Sequence, residues 1–192
     1  MKFTIIPARQ SDAPLIANGI IEAVGHEIAA EFAGSPERLP LVHQTFTELA
    51  SREDSQYSYL NTLVALADNG EVAGILVAYD GGRLQQLRKA FIEVANRTLG
   101  FDIKEEEMID ETSPDEIYLD SLCVFDKYRR QGLARQLIEA TADKFKTSGK
   151  PLGLLVDYDN PNARKLYASL GFESQGERPF AGTMMEHMQK PL

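Results

Sequence analysis

A nine-residue run, Asp126-Lys127-Tyr128-Arg129-Arg130-Gln131-Gly132-Leu133-Ala134, concentrates residue types suited to holding phosphate. It lies between an apolar strand pattern, Ile117 to Phe125, and an amphipathic helical pattern marked by Leu133, Ala134, Leu137, Ile138, Thr141 and Phe145. The first turn of a helix leaves N–H groups with no partner inside the helix. Gly132 removes a side chain where a ligand must approach that backbone, and Ala134 keeps the next turn small. Arg129, Arg130 and Arg135 add positive charge to an otherwise acidic chain. Together these features predict a phosphate or pyrophosphate cradle at a helix N-terminus. The helix dipole contributes only about 0.3–1 kcal/mol, up to ~2 where partly buried, so amide hydrogen bonds to anionic oxygens must supply most of the binding.

The elements that position this run follow from periodicity. Phe3 and Ile5 mark a first strand within Met1 to Gln10 that ends at Pro7. Ser11-Asp12 with Pro14 starts a helix, in which Leu15, Ile16, Ile20, Val24 and Ile28 recur at helical spacing until Gly34 and Pro36 stop it. A second helix is predicted from Glu37 to about Arg52. Leu60 to Ala67 and Val72 to Tyr79 read as strands joined by the turn Asp68-Asn69-Gly70, a strong hairpin signal. Leu84, Leu87, Phe91 and Val94 form one apolar helical stripe, with Arg83, Arg88, Lys89 and Arg97 off it. Gly100 to Glu116 is acidic: Asp102, Glu105, Glu106, Glu107, Asp110, Glu111, Asp115 and Glu116 face Lys104 alone. Residues 81–116 therefore read as a helix plus a solvated acidic loop inserted between the third and fourth strands. Beyond the phosphate run, Leu152 to Val156 is a buried strand, and Asn160-Pro161 caps a short helix ended by Gly171. Phe172 to Glu177 and Thr183 to Gln189 are closing strands. The order is that of one α/β domain, residues 1–192, with a mixed central sheet flanked by helices.

Composition removes several functional classes. The chain has 192 residues, 43% apolar and 26% charged, which is globular rather than disordered. No apolar run reaches the roughly 18–20 residues of a membrane span, and the start lacks the order of a signal peptide, so a cytoplasmic protein is expected. With 20 basic against 29 acidic residues, nonspecific nucleic-acid binding is disfavoured. One cysteine excludes an internal disulfide, and His26, His43 and His187 have no metal-ligand spacing, so no metal is expected. Met184, Met185 and Met188 read as strand packing.

The chain resembles the GNAT superfamily of N-acetyltransferases. The acyl-CoA signature of that superfamily is Arg or Gln, two residues, Gly, one residue, then Gly or Ala, and Arg129, Gly132 and Ala134 match it. The flanking course, Tyr118-Leu119-Asp120-Ser121-Leu122-Cys123-Val124 before and Asp159-Asn160 to Tyr167-Leu170-Gly171-Phe172 after, is similar too. The resemblance implies acetyl-CoA as co-substrate, an amine acceptor, and a homodimer as a common assembly. It implies that Leu122, Cys123 and Val124 hold the pantetheine arm by strand-like backbone bonds. The amides of Arg130, Gln131, Gly132, Leu133, Ala134 and Arg135 would hold the pyrophosphate. Asn160 would contact the cofactor near its reactive end, and Tyr167 would lie near the thioester sulfur. The implied reaction is direct attack in a ternary complex, with the carbonyl polarised by N–H groups near Val124.

Proton management assigns two roles. An amine of pKa about 10.4 must lose a proton, at a cost of roughly 4.6 kcal/mol at neutral pH. Asp120 is the carboxylate placed among apolar strand residues, and simple alternation puts it on the face of Leu122 and Val124. It is the candidate acceptor, through a water, or else a structural carboxylate bonded to nearby amides. Tyr167, on the helix face with Ala163 and Leu170, would return a proton to the departing thiolate, or else be a core tyrosine. Cys123, with no histidine partner, reads as a buried apolar residue. The acidic loop, if it borders the acceptor pocket, would favour a cationic amine. Two other readings keep the same sequence features: an acyl-CoA-binding or sensing module without chemistry, and an acidic protein-interaction domain that binds no CoA.

Overall fold

The computed structural model describes residues 2–180 and 182–192; Met1, first of the stretch read as a strand, lies outside them. The strands are β1 (Phe3–Pro7), β2 (Thr62–Ala67), β3 (Val72–Asp80), β4 (Ile117–Val124), β5 (Leu152–Asp157), β6 (Glu173–Phe180) and β7 (Thr183–Lys190). The helices are α1 (Ala13–Val24), α2 (His26–Ala33), α3 (Leu39–Ser51), α4 (Leu84–Leu99), α5 (Leu133–Phe145) and α6 (Pro161–Ser169). One seven-stranded mixed sheet runs in the order β1-β2-β3-β4-β5-β7-β6, antiparallel except where β4 meets β5.

Strand alternation divides the apolar residues between two cores. On one face Val64, Ile75, Val77 and Cys123 pack under helices α1 to α4. On the other, Leu63, Ala65, Leu76, Leu119 and Leu154 pack under α5, with Leu166 and Tyr167 of α6 against them. A small cluster of Tyr79, Tyr118, Leu84 and Leu87, with Leu155 of β5 beside it, lies between α4 and the sheet. The apolar stripe of α4 is thus buried, as its spacing predicts, with Leu84 and Leu87 beside Tyr79 and Tyr118 of the sheet and Phe91 beside Phe32 and Tyr57.

The first long helix expected from the sequence is two. Gly25 adopts φ +96° and its N–H caps α1 on the Ile21 carbonyl, so the chain turns before α2 begins. Val24 and Ile28, counted in the apolar stripe, are exposed as a result. Edge strand β6 is exposed along nearly its whole length and carries an extra residue, Gln175, between the positions paired to Met188 and His187.

The acidic segment before β4 is not uniformly solvated, contrary to its composition. Glu105, Glu106 and Glu107 are exposed, but Glu116 has no accessible surface. Its carboxylate takes Nε2 of His187 at 2.8 Å, Nε2 of Gln189 at 2.7 Å, the Thr112 hydroxyl at 2.7 Å and the Ser113 N–H at 2.8 Å. Burial raises the proton affinity of Glu116, but these donors outweigh it and hold its pKa at about 2. Gly153 is what admits it: a Cβ there would stand 1.8 Å from Glu116 Oε2. Gly153→Ala should therefore lower stability by about 3 kcal/mol or more by breaking up a buried charge and its donors. The check is the urea unfolding midpoint, which falls if the carboxylate is displaced and stays put if it can shift aside.

Candidate active site

The site begins where the sheet comes apart. β4 and β5 pair only at Ile117 with Leu152 and Tyr118 with Gly153, after which the ladder between them stops. At that point β4 has a bulge: Val77 of β3 opposes Ser121 and Ala78 opposes Leu119, leaving Asp120 as the extra residue. The extra residue resets the alternation. Leu119, Leu122 and Val124 face the core under α5, while Cys123 faces the core under α1. Asp120 thus does not share a face with Leu122 and Val124 as simple alternation predicts. It points toward Tyr79, on the face covered by α4, with Oδ2 at 3.3 Å from the Tyr79 hydroxyl.

The backbone of β4 divides in the same way. Phe125 N–H bonds the Ala73 carbonyl, and the Cys123 carbonyl is so close to β3 that a Cβ on Gly74 would stand 2.6 Å from it. Alternation then turns the peptide groups of Leu122 and Val124 away from β3, into the opening toward β5. Cys123 does not belong with them: its peptide serves β3, and its side chain is buried. Burial raises its thiol to about 12, which keeps it protonated and unreactive.

Beyond Phe125 the chain makes the predicted turn. Tyr128 is buried and its hydroxyl donates to Glu71, which Lys127 also pairs at 2.7 Å, so the turn is anchored to the β2–β3 hairpin. Arg130 takes φ +60° and Gly132 φ +75°. No atom lies within 4 Å of where a Gly132 Cβ would be, so glycine answers the backbone conformation, and the space beyond is open. Gln136 is the first residue whose amide bonds back into α5, to the Gly132 carbonyl at 3.2 Å, and no side chain caps the helix. Arg129 is already engaged, its Nε on the Val124 carbonyl at 2.9 Å and its NH1 on Asp126 at 2.7 Å. Arg135 lies on the next turn, with Ser169 of α6 at 3.4 Å. Gln131 and Arg130 are exposed, Leu133 is buried and Ala134 half-buried. A pyrophosphate fits this shape: unused amides, two residues in the left-handed region and an open approach.

From the β5 side, α6 contributes Asn160 and Tyr167. Asn160 caps the helix, its Oδ1 accepting from the Ala163 N–H at 3.1 Å, which leaves its amide nitrogen to donate. Tyr167 packs edge-on against Phe172, ring centroids 5.7 Å apart. Burial raises its hydroxyl to about 12, so at neutral pH it holds its proton and stands as a donor. Asp120 is displaced in the same direction, which for a carboxylate disfavours the charged form. Burial first, and the charge of Glu111 second, raise it to about 7 against hydrogen bonds from Ser121, Gln56 and Tyr79.

Sequence reasoning missed the groups around Asp120. Arg88, placed off the apolar stripe of α4, is 1% exposed and pairs with Glu111 at 2.5 Å and Asp110 at 2.8 Å. The signal was present: Arg88 stands four residues after Leu84 and three before Phe91, inside a wide apolar face. Glu111, read as a solvated loop residue, is 5% exposed.

Comparison with known proteins agrees with this geometry. The family model described as Acetyltransferase (GNAT) family matches residues 26–172. The crystal structure of an acetyltransferase is 31% identical over 98% of each chain, with a TM-score of 0.75. An N-acetyltransferase from Staphylococcus aureus Mu50 is 24% identical over 97% of this chain and 99% of its own, with a TM-score of 0.79. The Escherichia coli ribosomal-protein-S18-alanine N-acetyltransferase shares the fold at 21% identity over 99% and 94% of the two chains, with a TM-score of 0.57. No curated protein matches in sequence. With the helix-terminal cradle and the parted strands in place, a family match over most of the chain settles the matter: this protein is a member of the GNAT acetyltransferase family.

Proposed function

We propose that this protein transfers the acetyl group of acetyl-CoA to an amine by direct attack in a ternary complex. The observation that carries this reading is the opening between β4 and β5, which has the amide cradle at one end and Asp120 at its apex. Acetyl-CoA supplies the activated acetyl thioester. Leu122 offers its strand-edge peptide groups and Val124 its N–H to the extended arm, the amides from Arg130 to Arg135 take the pyrophosphate, and the Asn160 amide nitrogen donates near the reactive end.

Asp120 and Tyr167 divide the proton work. A carboxylate with a pKa of about 7 matches a general base at neutral pH far better than an ordinary one. Asp120 takes the amine proton through a water, since direct contact would stabilise the ammonium it must deprotonate. Tyr167 hydrogen-bonds the departing sulfur as charge builds there and hands on its proton, which it recovers from solvent. The two side chains pack on opposite faces of the sheet, and the parted strands are where both reach one molecule. A net negative cluster around Asp120 favours acceptors that arrive as cations, such as a polyamine, an aminoglycoside or a protein amine.

Binding is tested by calorimetric titration with acetyl-CoA. Wild type binds, and is stabilised by about 2.7 kcal/mol at 100 times the Kd; Gly132→Glu and Ala134→Glu, each placing a carboxylate in the cradle, lose that binding while remaining folded. Ala134 carries the test without the strain of a side chain at positive φ. Binding unaffected in both would remove the cofactor from this cradle.

Tyr167→Phe should cut kcat by about 100-fold or more with little loss of acetyl-CoA affinity, as followed by thiol release. Unchanged turnover ends that assignment.

Asp120→Asn should abolish the acid limb of the kcat/KM profile, which in wild type rises through pH 7. Stability moves the other way. A carboxyl raised from 3.8 in the unfolded chain to about 7 in the fold costs stability as pH climbs through that window. The Asn variant should therefore melt above wild type at pH 8, and the two should converge near pH 4. An Asn variant less stable than wild type at pH 8 would make Asp120 a structural carboxylate.

A further inference from the structure

One tyrosine hydroxyl stands between two carboxylates. Tyr79 Oη is 3.3 Å from Asp120 Oδ2 and 3.2 Å from Glu111 Oε1, and a hydroxyl has one proton to donate. Behind Glu111 the chain of contacts runs back into the 81–116 segment. Its Oε1 also accepts from Gln56 Nε2 at 3.1 Å, and its Oε2 from Arg88 NH2 at 2.5 Å. Arg88 is held in turn by the Ile109 carbonyl at 3.1 Å and by Asp110. An ion pair this buried is poor value as a stability device, because desolvating both charges offsets most of their attraction. It is also left incomplete: Arg88 Nε and Gln56 Oε1 are buried with no hydrogen-bond partner among the described residues. A hydrophobic α4 would cover the sheet more cheaply. The arrangement is better matched to a task at Asp120, three residues beyond the start of β4.

We infer that Glu111, held by Arg88, is a positioning residue that acts on Asp120 both by its charge and through the Tyr79 hydroxyl the two carboxylates share, and that the 81–116 segment is thereby part of the reaction centre. This rests on the reading of Asp120 as proton acceptor. Glu111 faces Asp120 with a like charge, which makes a proton on Asp120 more welcome. Arg88, paired to Glu111, keeps that charge in place. Tyr79, when it donates to Asp120, favours the ionised form and works against Glu111. The remaining titratable groups here are Tyr57, ahead of β2, and Tyr118 of β4. Burial raises both hydroxyls well above their ordinary value, so they stay neutral. Asp110 lies on the far side of Arg88. In turnover the amine proton passes by water to an oxygen of Asp120 and from there to solvent, while the Tyr79 proton is shared and not consumed.

The two links predict shifts of opposite sign. Glu111→Gln removes the like charge, so the Asp120 midpoint falls by about one pH unit. Tyr79→Phe removes a donor to the anion, so the midpoint rises. Both are read by carbon-13 NMR titration of the Asp120 carboxyl in the full chain, assigned with Asp120→Asn, and by the acid limb of kcat/KM for thiol release with spermidine or an alanine-initiated peptide. Acetyl-CoA affinity should stay within twofold of wild type. A role confined to packing would lower activity equally at every pH and leave both midpoints where they are, and that result overturns the inference. Because Tyr79→Phe deletes a single hydroxyl, it carries the test even if the Gln variant does not fold; Arg88→Lys should retain the wild-type midpoint by keeping the charge beside Glu111. Thiol release with unmoved midpoints removes the coupling alone. Wild type that binds acetyl-CoA but releases no thiol with either amine brings down the acetyltransfer reading, and this inference with it.

Discussion

A parallel ladder two residues long is the constraint on which this molecule depends. Backbone N–H and C=O groups buried without partners are costly, so a strand pair that parts this early must be held open from elsewhere. Two devices hold it. At the closed end, Glu116 ties the approach to β4 to His187 and Gln189 of β7, and Gly153 of β5 gives it room. At the open end, the bulge at Asp120 bends β4 and strengthens its local twist, turning it away from β5. The clamp at Glu116 and the bulge at Asp120 are four residues apart in the chain, so the strands are joined up to Tyr118 and free beyond it.

The same separation explains why the two helical layers do different work. Helices α1 to α4 cover one face, and the groups set around Asp120 come from that side: Gln56, Arg88 and Glu111. Helices α5 and α6 cover the other, and they bring the amide cradle and Tyr167. In a continuous sheet these sets would be screened from one another by the strands. Opening the sheet between β4 and β5 means that a molecule bound from one face would reach groups on the other.

What was legible in the chain was local. The turn at Asp68-Asn69-Gly70, the cap at Asn160-Pro161 and the helix start at Gly132 rest on backbone preferences of a few adjacent residues, and all three fold as those preferences dictate. The amphipathic stripe of α4 was readable for the same reason. What could not be read depended on pairings between distant segments. The bulge that turns Asp120 toward Tyr79 exists only in the register of β3 against β4, and alternation counted along β4 alone gives the wrong face for it. Arg88 and Glu111 are individually ordinary surface residues; each becomes a buried residue only because the other is there to neutralise it. Gly25 was a different kind of miss, since one glycine inside an apolar period is compatible with either a continuous helix or a break.

Strand β6 lies at the open margin of the sheet, and its composition bears on how copies of the chain meet. Its sequence, Glu-Ser-Gln-Gly-Glu-Arg-Pro-Phe, places two acids, an arginine, an extra residue and a proline along a row of otherwise unsatisfied peptide groups. At the opposite margin β1 is five residues long and closes with Pro7. Prolines withhold a donor, the extra residue breaks the spacing an incoming strand would need, and the charges resist being enclosed. The sheet is thus guarded at both margins against unlimited lateral growth, so strand-on-strand polymerisation is a poor route even at high concentration.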